Sequence, residues 1–322
     1  MKIAIIVCWF GKLPDYFKFW EYSCKYNSEI DFFLITDNKV KTEIKNIKVI
    51  NMSLKDIENK LKYIFEMNIE PLKPYKMCDL RPIYGIIFNE YLEKYDFWGN
   101  CDIDLIWGKI SDFIDDEILE KYEKILECGH LTLYRNNKKM NNLFKENGGI
   151  YDYRDVILHK ENYAFDEKTG IARIAKKNKI KTFCNVKYAD IDVRYSRYRL
   201  CSDNNYDEQV FYWEDGEIIR AYIENNKVRT DKFCYLHFQK KHPIIKVELN
   251  EKIQSFYITK EGISIKDHIG VPSMEEIKKK APFEGKKIEK LEEYRYIFKK
   301  IKQFMSCSNK QKKIWFKQKI NK

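Results

Sequence analysis

Apolar positions fall in short blocks whose period changes along the chain. Residues 3–10 are an unbroken apolar run of eight, the pattern of a strand buried on both faces of a sheet. Residues 14–26 are aromatic with helical spacing, and 30–37 read as a second strand with an acidic end. Strand, helix, strand within 37 residues predicts a parallel βαβ opening. A third strand is predicted at 48–51, after which Ser53 with Asp56 starts a helix that runs to about Phe65. Residues 81–95 place Ile83, Ile86, Ile87, Tyr91 and Leu92 on one side of a further helix. Then comes an apolar, acidic, apolar segment at 95–108, a helix over 112–126 and a strand over 130–134. Residues 141–199 are irregular, rich in Tyr, Arg and Asn, and read as loops over a site. Two hairpins are predicted, at 210–223 around Asp215-Gly216 and at 253–265 around Glu261-Gly262.

Composition narrows the class. With 44% hydrophobic and 15% aromatic residues in 322 positions, the chain is globular, and disordered and low-complexity classes are excluded. Only 12 Gly and 7 Pro are too few for the tight turns of an all-β sandwich, which leaves α/β or α+β. No apolar run approaches the roughly 20 residues of a membrane-spanning helix. The first run follows a single Lys and precedes no small-x-small cleavage site, so a strand is expected there and not a signal peptide. No two of the nine Cys lie closer than 16 positions, which excludes a CxxC pair and predicts free thiols in a reducing cytoplasm.

Charge is segregated. The net charge is +11, and residues 285–322 hold 13 basic and 3 acidic residues, so the rest of the chain is nearly neutral. In this tail Tyr294, Ile297, Phe298, Ile301, Phe304 and Met305 recur at helical spacing, and a second patch carries Ile314, Trp315 and Phe316. A basic amphipathic helix suits an anionic membrane surface, where each Lys or Arg contributes about 1 kcal/mol. The other reading is a terminal helix that packs its stripe on the protein's own core. Nucleic acid is not expected as a partner.

Asp102 and Asp104 carry the candidate chemistry. At the end of a strand, residues two apart project to one side, about 6–7 Å from each other. Their flanks, Phe97-Trp98 and Leu105-Ile106-Trp107, are too apolar for a solvated loop. Hard oxygen donors of this kind suit Mg2+ or Mn2+, which neutralises a diphosphate. A turn with two solvated Asp, a DxD phosphatase-like hydrolase, and a basic membrane- or nucleic-acid-associated binding protein without catalysis are the alternatives.

Four blocks carry a family resemblance: the first strand with Trp9-Phe10-Gly11, then 74–85, 95–104 and 235–241. Over residues 1–242 the chain resembles bacterial polysaccharide glycosyltransferases of the GT-A fold that build capsule, O-antigen or cell-wall glycans, among them galactosyl- and galactofuranosyltransferases. The resemblance implies an α/β, GT-A-like (Rossmann-like), mixed and mostly parallel sheet flanked by helices, to which the charge and period of the tail add a basic helical C-terminal extension. It also implies a UDP-sugar donor and a lipid-linked or oligosaccharide acceptor; the free thiols and the basic tail add the expectation of a cytoplasmic protein peripheral on the inner face of the membrane.

Residue by residue, it assigns Asp102 and Asp104 to the metal and ribose, His237 to a further metal ligand, and Lys240 or Lys241 to the diphosphate. Lys76, Asp79 and Arg81 match the block that faces the nucleotide, and Trp9 or Phe10 would stack on or contact the base. For inverting transfer a carboxylate takes the acceptor's proton, and Asp207-Glu208, an acidic pair expected to open a helix, has this place in similar enzymes. Asp203 and Asp207 equally suit helix N-caps, and a retaining outcome stays open. The expected division is a catalytic domain at 1–250, a small β-containing appendage at 251–284 and the tail at 285–322.

Overall fold

The computed structural model describes residues 1–201, 204–249 and 253–320. Its strands begin with β1 (Ile3–Trp9), β2 (Ile30–Thr36), β3 (Ile47–Asn51), β4 (Phe97–Cys101), β5 (Leu105–Trp107), β6 (Lys124–Cys128), β7 (Leu131–Arg135) and β8 (Thr182–Phe183). They continue with β9 (Ala189–Asp190), β10 (Gln209–Glu214), β11 (Glu217–Glu224), β12 (Lys227–Phe233), β13 (Tyr235–His237), β14 (Ser255–Thr259) and β15 (Gly262–Ile265).

The central sheet has the order β3-β2-β1-β4-β7-β6-β8. β7 runs antiparallel to β4 and β6, and the other pairings are parallel. This is the α/β architecture expected from the sequence, a mixed, mostly parallel sheet flanked by helices. Because side chains alternate across a strand, Ile3, Ile5 and Val7 enter one core while Ala4 and Ile6 enter another. The first core also takes Trp20, Trp107, Phe211, Trp213 and Phe256, and so lies between the sheet, the helix Phe17–Cys24 and the strands β10 and β14. The second is closed by the helices on the opposite face, including Leu54–Phe65, whose N-terminus carries the Ser53–Asp56 capping box.

Two expected helices are shortened. The 81–95 segment is a series of single turns, Arg81–Ile83, Tyr84–Ile87 and Asn89–Leu92; Pro82 has no N–H to continue the ladder. The 112–126 segment is α-helical only over Asp116–Lys121, after which β6 pairs with β7 across a bulge that sets Leu126 at φ 64°. Sheet pairing there overrides the helical period of the apolar residues. Both hairpins form, yet the expected boundary at residue 250 falls inside one sheet, β12-β11-β10-β14-β15, in which β14 pairs with β10.

A third, small sheet, β5-β13-β9, joins distant parts of the chain. Its registers set His237 opposite Leu105 and Asp190. Gly108 lets β5 lie this close: a Cβ there would meet the Phe233 carbonyl oxygen at 2.5 Å, while the Gly108 N–H donates to the Cys234 carbonyl at 2.8 Å. Gly108→Ala is therefore expected to cost about 1–3 kcal/mol, read as a lower denaturation midpoint at unchanged slope.

Candidate metal and nucleotide site

Between β3 and β4 the strand order turns back, so the topological switch lies between β1 and β4. In open α/β sheets ligands bind outside the carboxyl ends of the strands at such a point. Asp102 and Asp104 sit there, in the short turn from β4 to β5, and the β5–β13 pairing brings His237 to them. His237 Nε2 lies 3.7 Å from Asp102 Oδ2 and 3.5 Å from Asp104 Oδ1. One ligand atom from each of the three lies within 4.8 Å of the others. The expected convergence is present, though a turn and a cross-strand neighbour produce it, not the two-residue period of a strand.

The surroundings fix the orientation of these groups. His237 Nδ1 donates to Asp190 Oδ1 at 2.8 Å, and the Gln239 amide donates to the same oxygen at 2.9 Å. That hydrogen bond turns Nε2 toward Asp102 and Asp104, the arrangement by which a carboxylate orients a metal-ligating imidazole. His130 stacks on His237 with ring centroids 4.4 Å apart and pairs its Nδ1 with the Tyr235 hydroxyl at 3.0 Å. Arg81 spans the other side, paired with Asp102, with Asp166 at 2.8 Å and with the Gly129 carbonyl at 2.9 Å. Two carboxylate oxygens and an imidazole nitrogen suit Mn2+, with Mg2+ the harder-ligand alternative.

Electrostatics agree with a cation site. Burial opposes charge on His237, but hydrogen bonds to Asp104 and Asp190 and the fields of Asp104 and Asp102 outweigh it and raise its pKa to about 10. Burial, followed by His237 itself, lowers His130 to about 3 and keeps it neutral. Burial raises the Asp104 pKa, whereas Arg81 and His237 overcome burial at Asp102 and lower it. With no cation bound, a proton on His237 neutralises part of this acidic cluster.

The other expected site residues are distributed differently. Trp9 is half-buried at the end of β1, with its indole N–H on the Lys12 carbonyl, while Phe10 belongs to the core. Lys76 and Asp79 are buried against each other at 2.8 Å. Asp79 also accepts the N–H groups of Tyr163 and Phe165, and Lys76 donates to the Glu161 carbonyl, so this pair pins the 161–165 loop and presents no face to a nucleotide. Lys240 is exposed, and Lys241 is bound to the Tyr195 and Ser196 carbonyls. Asp207 and Glu208 lead into β10 and open no helix; Glu208 lies 3.9 Å from Lys278, and Arg197 binds the Asp207 carbonyl. Asp203 lies outside the described residues. Sequence reasoning passed over Asp190, Gln239 and Asp166. Asp190 had a signal, since Asp190-Ile-Asp192 repeats the Asp102-Ile-Asp104 pattern.

A His pKa held above its unfolded value of about 6.5 stabilises the fold fully below that pH, and the contribution is lost as pH rises through the folded value. In metal-free protein the stability advantage of wild type over His237→Gln should therefore shrink between about pH 6.5 and about 10. Thermal melts of both proteins across this range check it; a constant difference would show that His237 carries no proton here.

The family model described as a family of unknown function, DUF6625, matches residues 5–267. No curated protein matches the sequence. Among solved structures, the chain is similar to the galactosyltransferase LgtC in complex with donor and acceptor sugar analogues, at 12% identity and a TM-score of 0.31, over 58% of this chain and 75% of that one. It is similar also to an active-site mutant of LgtC, at 12% identity and a TM-score of 0.33, over 63% of this chain and 79% of that one. The family match takes in the whole acidic and histidine cluster and ends before the two C-terminal helices, and the chain belongs to DUF6625, a family of unknown function.

Proposed function

We propose that this protein is a glycosyltransferase that moves a sugar from a nucleotide-sugar to an acceptor hydroxyl, with Asp102, Asp104 and His237 holding a divalent cation. The observation that supports this reading is the convergence of those three side chains at the switch point of the sheet. When bound, the cation neutralises the diphosphate and so assists its departure. Asp190 holds the His237 ring with Nε2 toward the two carboxylates. Arg81 brings a fixed positive charge to the same edge and anchors Asp102 against it. The family resemblance assigns the base to Trp9, which ends β1, and a phosphate oxygen to Lys240, which is exposed.

The finer identities rest on the sequence resemblance: UDP-galactose or UDP-galactofuranose as donor, and a lipid-linked or oligosaccharide acceptor of a bacterial surface polysaccharide. A place at the inner face of the cytoplasmic membrane, with the basic tail toward anionic lipid, rests instead on the segregated charge and helical apolar period of residues 285–322. No helix of the described residues is long and apolar enough to cross a membrane.

The direct test is a panel of nucleotide-sugars with Mn2+, scored for donor hydrolysis and for thermal stabilisation. Asp104→Ala is expected to fold and to lose donor turnover by about 100-fold or more, and Asp190→Asn to weaken Mn2+ binding by about 10–100-fold. Full turnover by Asp104→Ala under saturating Mn2+ would overturn the assignment. The resemblance alone supports Glu208 or Asp207 as the base. Glu208→Gln and Asp207→Asn that keep donor binding but lose transfer would establish that role, and retention of both properties would remove the pair from the reaction.

A further inference from the structure

The C-terminal helix Lys286–Ser306 is amphipathic in the inverted sense. Its acidic residues face the protein: Glu289 binds Arg197 at 2.8 Å and Arg199 at 2.6 Å, Glu292 accepts the Ser196 N–H at 3.1 Å, and Glu293 binds the Tyr195 hydroxyl. At 100° per residue the opposite face carries Leu291, Tyr294, Phe298, Ile301 and Met305. These are 55%, 70%, 59%, 51% and 69% exposed, and no residue of the helix is buried. A solvated terminal helix does the reverse. The following helix, Asn309–Ile320, buries Ile314 in the core and leaves Phe316 and Ile320 exposed. Phe304 stacks on Trp315 at 5.3 Å and joins the two apolar surfaces.

The polar side of this pair grips two particular loops. The first helix holds the tip of the 190–201 hairpin, whose base carries Asp190, the partner of His237. That hairpin is closed by the Ile191–Leu200 bridge and by Cys201 N–H on the Asp190 carbonyl. The second helix holds the 161–163 segment: Gln311 and Asn162 bond each other both ways, Gln318 binds the Tyr163 carbonyl and Lys310 pairs with Glu161 at 3.0 Å. Three residues beyond lies Asp166, the partner of Arg81 and through it of Asp102. The two helices thus join the two loops that flank the cluster.

We propose that these helices form a strap that docks on an anionic bilayer through its outward apolar face and, by joining the 161–166 and 190–201 loops, couples that docking to order in the cation site. Charge complementarity selects the occupant. The tail's 3 acidic residues are all turned toward the body, while its 13 basic residues include Arg295, Lys299 and Lys302 along one edge of the apolar stripe. In a second copy those edges would meet like charge with like charge, whereas anionic headgroups neutralise them. The coupling rests on the reading of Asp102, Asp104 and His237 as the cation site; the docking does not.

The test uses full-length protein, vesicles of phosphatidylcholine with or without 30% phosphatidylglycerol, and free Mn2+ measured by its electron paramagnetic resonance signal. Wild type should sediment with the anionic vesicles at low salt, not with neutral ones, and release as salt rises and screening shortens the reach of the charges. Its Mn2+ affinity should rise at least threefold on the vesicles. The double variant Phe298→Ser, Ile301→Ser should lose vesicle binding at least tenfold with an unchanged melting temperature, since both side chains face solvent. Glu289→Gln should keep vesicle binding and lose the rise in Mn2+ affinity. Indifference of wild type to anionic vesicles, a lowered melting temperature in the double variant, or a doubled mass that this variant reverses would each overturn the docking surface. Vesicle binding with unchanged Mn2+ affinity would overturn the coupling. No Mn2+ binding in the absence of vesicles would instead count against the cation site itself.

Discussion

The candidate site depends on one hydrogen bond, from His237 Nδ1 to Asp190. An imidazole offers two nitrogens, and which of them can face a cation is decided by what the other one holds. With Nδ1 given to Asp190, Nε2 is directed at Asp102 and Asp104, and three chain segments become parts of one cluster. The small sheet β5-β13-β9 exists in register for this contact, since it pairs His237 with Leu105 on one side and with Asp190 on the other. Gly108 permits the approach, and the large sheet supplies a switch point beside it.

The outer partners divide into two arms. Asp190 belongs to the 190–201 hairpin, and Asp166 to the loop that Lys76 and Asp79 pin from below. Residues that the family resemblance assigned to the nucleotide therefore act one step away: Lys76 and Asp79 secure one arm, and Lys241 ties its ammonium to the tip of the other. Burying the Lys76–Asp79 pair without further hydrogen bonds would be unfavourable. The Tyr163 and Phe165 N–H groups and the Glu161 carbonyl compensate for the lost water, and in doing so they order the loop. The C-terminal helices close the frame from outside, the first of them with its glutamates inward and its apolar face outward.

Local signals were legible in the sequence where one period decided the structure. The continuous apolar run of β1, the Ser53–Asp56 box and the turns at Asp215-Gly216 and Glu261-Gly262 each specify a segment without reference to the rest of the chain. The segment after Lys121 was not legible, because Ile125 and Leu126 satisfy a helical period as well as a strand, and pairing with β7 settles the matter. Asp207-Glu208 shows the same limit: an acidic pair before an apolar run reads as a helix start, yet Gln209–Glu214 is a strand between two partners. In the site, Asp102, Asp104 and His237 were legible through their apolar brackets and the family resemblance. Asp190 was not, although its Asp-Ile-Asp repeat was visible, because only the parallel β9–β13 pairing reveals which histidine it serves. The tail's apolar period was legible too; which way the helix faces is a property of Arg197 and Arg199, which lie about ninety residues earlier.

The central claim is that His237 ligates a divalent cation through Nε2 together with Asp102 and Asp104. Pulsed electron paramagnetic resonance of the Mn2+-loaded protein, with histidine labelled with nitrogen-15, addresses it without any substrate. The account predicts a strong coupling from one directly bound imidazole nitrogen in wild type and its loss in His237→Gln. A Mn2+ signal with no histidine nitrogen coupling in wild type, or one unchanged in His237→Gln, would contradict it.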